Sequence, residues 1–240
     1  MDLETYIELE LKKISGIGDV SAKELRIALM KMHPNLTLKA DIRALLINSN
    51  LKLNVLSKAD LKYNPVKRIK HDIITNLFAS LKANHTLPKS AVLAGSYRRG
   101  KSYSSDIDIL IKNQEQIRLK KDVPRNEALL LEPFAHGEKK WTSMIGYMGR
   151  YFKADIYFCG DSLATMLLYL TGSYEFNIWI RTEALKNGFF LNQNGLYKKK
   201  DGKKVLQKTK TEQDIFKKLG IKYIKPENRE PEYLIKTLGK

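Results

Sequence analysis

Asp106 and Asp108 flank a single isoleucine at the head of an apolar run, Ile107-Asp108-Ile109-Leu110-Ile111. Branched apolar residues at that density read as a β-strand. On a strand, residues i and i+2 share a face, so the two carboxylates point the same way, roughly 6.6 Å apart along the chain, while Ile107 enters a core. Like charges so placed repel. Divalent cations relieve that repulsion and favour carboxylate oxygens, whereas the bland alternative is an exposed strand end. Two cations roughly 3.5 to 4 Å apart would clamp the attacking and leaving oxygens of a phosphoryl transfer. A third carboxylate, Asp155, stands among alternating apolar residues in Lys153-Ala154-Asp155-Ile156-Tyr157 on a second strand.

Just upstream lies Gly95-Ser96-Tyr97-Arg98-Arg99-Gly100. Its glycines let the backbone approach a phosphate closely, and the Ser96 hydroxyl and Arg99 offer donors to a triphosphate tail. It is not a P-loop, because G-x-x-x-x-G-K-[ST] is absent. The alternative is a basic turn leading into a strand.

The charge balance points to the same kind of partner. Forty-three Lys and Arg against 26 Asp and Glu give +17 in 240 residues, which calls for a polyanionic partner, whether nucleic acid, an anionic membrane surface or an acidic protein; binding to DNA would weaken steeply with salt. No stretch nears the roughly 20 apolar residues of a spanning helix, so no membrane partner is expected. Cys159 is the lone cysteine, which excludes an internal disulfide and fits a reducing compartment. Met1-Asp2-Leu3-Glu4 begins acidic and without an apolar run, so no secretory signal is expected. The protein is expected inside a cell, nuclear or cytoplasmic.

The chain reads as α+β. Apolar residues at helical spacing, such as Ile7 and Leu11, then Leu25 and Leu29, predict an all-helical segment over 1–63. A further helix is predicted from near Pro65 to Leu81. Strands are predicted at Ala91–Ala94, Ile107–Ile111 and Phe152–Phe158, helices from Gly160 to about Asn187, and short strands at Phe189–Leu191 and Gly195–Tyr197. Asp201-Gly202, between Lys198-Lys199-Lys200 and Lys203-Lys204, reads as a tight hairpin turn, either a solvated loop or a direct DNA contact.

G-S-x-R-R-G followed by the D-x-D strand resembles the nucleotidyltransferase palm of family X DNA polymerases, the polymerase beta group. Tyr169-Leu170-Thr171-Gly172-Ser173, with Phe176-Asn177, Arg181, Ala184-Leu185 and Gly188-Phe189, is similar to that family's thumb, and Asp214 to Glu230 to its closing segment. The resemblance implies a helical fingers subdomain over 1–63, a mixed-sheet catalytic palm over 64–160 and a small α/β thumb over 161–240. It implies a template-directed DNA polymerase that fills short gaps in repair, as in base excision repair, with gapped or primed double-stranded DNA and dNTPs as partners and a monomeric protein. Asp106, Asp108 and Asp155 would hold two Mg²⁺ ions, with Mn²⁺ able to substitute. Gly95, Ser96, Arg99, Ser104 and the backbone of Ser105 would cradle the phosphates. Tyr169 and Gly172 would line the sugar, and Asn177 and Arg181 would reach the minor groove of the nascent pair, where acceptors are nearly the same for every correct pair.

There are departures from the family pattern. Leu170 replaces an aromatic beside Tyr169, which bears on exclusion of ribonucleotides, and Ser105 stands where Gly is common. Tyr174 offers a ring to the incoming base. Ser15-Gly16-Ile17-Gly18 followed by Ala22-Lys23-Glu24-Leu25 resembles a helix-hairpin-helix, in which Gly16, Gly18 and Lys23 would meet a DNA phosphate; the alternative is a glycine-assisted link between two helices. Glu24 stands at the position a lyase would give its reactive lysine, so no lyase activity is expected, and the chain resembles the minimal viral members that lack that amino-terminal domain. The rival functions are a template-independent nucleotidyltransferase and a non-catalytic DNA-binding scaffold.

Overall fold

The computed structural model describes residues 1–200 and 203–238, and the chain divides into two compact units, Met1–Pro65 and Val66–Lys240. The first is built from helices α1 (Leu3–Lys12), α2 (Asp19–Met32), α3 (Ile42–Ile47) and α4 (Val55–Tyr63). Short polar side chains start three of them: Asp2 accepts from the amide of Thr5, Asp41 from Ala44 and Asn54 from Ser57, satisfying amides that a helix leaves unpaired. Ile7, Leu11, Ala22, Leu29, Ile42 and Leu46 form the core. The Ser15–Gly18 turn between α1 and α2 is tied to α4. Asn54 Nδ2 donates to the Gly16 carbonyl at 2.7 Å, Ser57 Oγ donates to that of Ser15 at 3.1 Å, and the Ser15 amide donates to buried Asp60 at 3.1 Å.

The second unit carries a mixed six-stranded sheet. Strands β1 (Ile69–Lys70) and β3 (Tyr103–Ser104) pair apart from it as a small antiparallel ribbon. The main sheet runs β2 (Val92–Leu93), β4 (Ile107–Ile111), β8 (Arg150–Phe158), β7 (Lys140–Tyr147), β5 (Leu129–Leu130), with β6 (Ala135–His136) also on β7. Its one parallel pair is β4 with β8. Ile107, Ile109, Ala154, Ile156 and Phe158 fall on one face of that pair and pack with Ile74, Leu77 and Leu81 of helix α5 (His71–Ala83). The other face carries Asp108, Leu110, Asp155 and Tyr157, and Leu110 packs with Met166 of α7 (Leu163–Thr171). Only one end of that second face is apolar. The other end carries the carboxylates.

A second core gathers α7, α8 (Tyr174–Lys186), α9 (Glu212–Lys218) and α10 (Pro231–Leu238) with a three-stranded antiparallel sheet of β9 (Phe189–Asn192), β10 (Gly195–Lys200) and β11 (Lys203–Gln207). Asp201 and Gly202, read above as a hairpin turn, lie outside the described residues. No helix among the described residues is long and apolar enough to cross a membrane.

Two expectations need correction. The helix expected from Pro65 starts at His71, because the Val66 amide donates to the Tyr151 carbonyl at 2.9 Å and Ile69-Lys70 pairs with β3. The strands β5, β6 and β7 were not foreseen. In β7 the middle residues are buried in succession, which removes the alternation that marks a half-buried strand.

Candidate active site

Parallel pairing of β4 with β8 sets Asp108 directly opposite Asp155. Asp106 stands one residue before β4, in a bend that keeps it near the others: Lys153 Nζ lies 3.1 Å from Asp106 and 3.5 Å from Asp155. Asp155 is buried and held on both oxygens, accepting from Thr142 Oγ1 at 2.7 Å and pairing with Lys140 at 2.9 Å. Thr142 reaches it because it is its partner on the neighbouring strand. Asp108 has no such support. Burial, then the charges of Asp106 and Asp155, push its carboxyl up to about 7. Burial works against the charge of Lys153, but Asp155 and Asp106 outweigh it and hold the ammonium above its usual range.

Among the described residues no three acidic, imidazole or thiol side chains close into a metal cage; the Lys153 ammonium stands between two of the carboxylates instead. The donor chemistry still fits a hard divalent cation. All three groups offer oxygen only, and their mutual repulsion at Asp108 is the kind that a cation relieves.

The segment expected to cradle phosphates is more ordered than a loop. Gly95–Arg98 forms a single helical turn, α6, and Ser96 Oγ donates to Ser104 Oγ at 2.8 Å. Gly95 has φ +62, and a Cβ there would lie 2.0 Å from Asp108 Oδ2. Alanine at this position meets both a left-handed backbone, at about 1–2 kcal/mol, and the carboxylate. Gly95→Ala is therefore expected to displace Asp108 and to slow whatever reaction the carboxylates carry by about 100-fold. Gly100 has φ +77 but nothing within 4 Å of its Cβ position, so Gly100→Ala is expected to bear only the backbone term and stay active. Steady-state rates of the two proteins decide it.

A cleft of about 500 Å³ opens beside the carboxylates, lined by Asp108, Arg99, Tyr157, Tyr169, Leu170, Gly172, Tyr174, Asn177 and Arg181 among others. Gly172 ends α7, and Ser173 caps α8 by accepting from the Phe176 amide. Asn177 Nδ2 donates to the Tyr169 carbonyl at 2.8 Å, and Arg181 lies 5.3 Å from the Tyr169 ring. Tyr174 is 76% exposed at the first residue of α8. Ser105 is exposed, its hydroxyl 3.2 Å from Asp106. Gly16, Gly18 and Lys23 belong to the first unit, all exposed.

Several residues of the site were not singled out from sequence. Arg99 donates to Glu230 at 2.6 Å and to the Thr171 carbonyl at 2.6 Å, and Lys101 also reaches Glu230. Arg98 turns the other way, to Thr171 Oγ1 at 2.8 Å and to buried Glu212 at 2.7 Å. Glu212 also pairs with the fully buried Arg229 at 2.8 Å. Lys153 and Tyr157 were open to the period-two rule that placed Asp155, since both share its face. Thr142 and Glu212 had no local signal.

Residues 63–140 match the model of the DNA polymerase beta palm, and residues 166–230 that of the DNA polymerase beta thumb. The chain is 30% identical over 146 residues to Repair DNA polymerase X of African swine fever virus, covering 60% of this chain and 83% of that protein. It is 31% identical over 163 residues to DNA polymerase IV of Saccharomyces cerevisiae, covering 62% of this chain but 27% of the yeast protein. Polymerase beta of Leishmania infantum, solved as a ternary P/T complex, superimposes with a TM-score of 0.69 at 22% identity, over 96% of this chain and 100% of that one.

Proposed function

The chain belongs to the polymerase beta family of DNA polymerases, and we propose that it is itself a template-directed DNA polymerase that adds a deoxynucleotide to a primer 3′-hydroxyl, filling short gaps in DNA repair. The observation that carries this reading is the register of Asp108 against Asp155 at the mouth of a cleft that also holds Arg99, Tyr169 and Asn177. Residues 1–63 are then fingers, 64–160 palm and 161–240 thumb, an assignment supported by the separate cores of the last two parts.

In this reading Asp106, Asp108 and Asp155 hold two Mg²⁺ ions, or Mn²⁺ in their place. Bound there, the cations supply Lewis-acid activation of the 3′-hydroxyl and neutralise the leaving pyrophosphate. Thr142 and Lys140 fix the orientation of Asp155. Gly95, Ser96, Ser104 and Ser105 face the triphosphate, and Arg99 exchanges Glu230 for a phosphate oxygen, an acceptor its guanidinium fork takes as it takes a carboxylate. Tyr169 and Gly172 line the sugar, and Asn177 and Arg181 read the minor groove. The turn of Gly16 and Gly18, with Lys23, takes a DNA backbone phosphate as a helix-hairpin-helix. The protein acts as a monomer inside the cell.

Tyr174 stacks on the incoming base. Tyr174→Ala is expected to weaken dNTP binding about tenfold, the order of one lost base–aromatic contact; an unchanged affinity in equilibrium titration disposes of that role.

The proposal is tested by offering each dNTP singly to a labelled primer across a one-nucleotide gap. Addition only of the complementary nucleotide supports it. Addition of all four indicates a template-independent transferase, and binding without extension indicates a scaffold.

A further inference from the structure

The three-stranded sheet buries only one of its faces. Leu191 and Leu196 point into the second core, whereas the register sets Phe190, Tyr197 and Leu206 side by side across the other face. Lys204 lies two residues from Leu206, on the same face as that residue. Leu206 is 59% and Phe190 38% exposed, and the rings of Phe190 and Tyr197 lie 6.4 Å apart. Gly195 leaves the room they use, since a Cβ there would lie 2.6 Å from Leu206 and 3.0 Å from the Tyr197 ring. The Lys204 ammonium sits 3.7 Å from the Phe190 centroid.

We propose that this open face is a platform for single-stranded DNA, with a base stacking on Phe190 beside Tyr197 and Lys204 turning to the adjoining phosphate. A duplex hides its base faces, while an unpaired strand exposes a π-face and a charge at every nucleotide. Leu206 extends the apolar floor, and Lys204 supplies charge complementarity in a chain of net +17. An exposed ammonium–ring contact is weaker than base stacking, so a base displaces Lys204 and frees it for phosphate. The cluster contains none of the residues assigned to nucleotidyl transfer or to DNA above, so it adds a further DNA contact to that reading.

The test is fluorescence anisotropy of the full chain with a labelled oligothymidylate of about eight nucleotides, without metal or dNTP. Phe190→Ala is expected to weaken binding about tenfold while leaving the salt dependence unchanged. Lys204→Ala is expected to reduce the log–log salt slope by about 0.7, one phosphate contact to a single strand. A blunt duplex should bind the Phe190→Ala protein and the wild type alike. Wild-type affinity of Phe190→Ala for the oligothymidylate overturns the proposal, as does an equal loss on the duplex. Because neither nucleotide nor metal is present, failure here leaves gap extension untouched, and failure of extension leaves this binding to be judged by itself.

Discussion

Asp108→Asn is expected to lower nucleotidyl transfer about 1,000-fold and, in the same protein, to raise the melting temperature of the metal-free form by about 5 °C at pH 8. Both effects have one source. Asp108 lies half-buried opposite Asp155 and close to Asp106, so its charge is unfavourable in the metal-free protein, and its carboxyl is pushed up to about 7. The folded chain therefore binds that proton more tightly than the unfolded chain does. Stability from this group is fully present below the ordinary carboxyl value of 3.8 and is lost as the pH rises through 7. The full shift corresponds to about 4 kcal/mol, and solvent at the open cleft reduces it to about 2 kcal/mol. Asparagine, close in shape to the protonated acid, removes the penalty. Melting curves in EDTA should show a gain at pH 8 that shrinks on acidification and disappears below about pH 4. Transfer should fall about 1,000-fold, since one of the charges proposed to hold the cations is gone. An unchanged or lower melting temperature at pH 8 contradicts the electrostatic account.

Glu212→Ala is expected to destabilise the second unit by about 3–5 kcal/mol. Glu212 is buried between Arg98, at 2.7 Å, and the fully buried Arg229, at 2.8 Å. Arg229 also donates to the Ile224 carbonyl and faces the rings of Phe176, Phe216 and Tyr223, so it cannot swing out to water. Removing the carboxylate leaves its charge enclosed without an anion. Burial alone would raise the Glu212 carboxyl, but hydrogen bonds from Arg98 and Arg229 outweigh it and hold the group below its usual range. Its stabilisation is thus present above the ordinary value of 4.5 and is lost as the pH falls through the lowered one. Urea titrations at pH 7 and pH 3 check both points: the gap between wild type and Glu212→Ala should be wide at pH 7 and narrow at pH 3. An equal gap at both would assign the loss to packing. Because Arg98 belongs to the turn that carries Ser96 and precedes Arg99, the same change should also loosen the proposed phosphate cradle.

The placement of the carboxylates was more legible in the sequence than the packing that supports it. Asp106, Asp108 and Asp155 could be read because strand period leaves a trace within a few residues, and β4 and β8 do carry Asp108 and Asp155 on one face. Helices α1 to α4 could be read from apolar spacing. What escaped was whatever depends on a distant partner. Thr142 and Ser143 are polar residues in the middle of a buried strand, explained by Asp155 Oδ1 and the Leu131 carbonyl that accept from them. The Arg98–Glu212 pair spans 114 residues, and no local pattern announces it. Helix α5 begins late because Ile69-Lys70 is taken by Tyr103-Ser104, another long-range pairing that overrides local preference.

The most direct test of the three-carboxylate account is single-turnover extension of a primer across a one-nucleotide gap with Mg²⁺ and the complementary dNTP, comparing wild type with Asp155→Ala and measuring DNA affinity in parallel. The account predicts rapid extension by the wild type, a loss of about 1,000-fold in the variant and DNA binding that is nearly the same in both. Extension that survives in Asp155→Ala would contradict it.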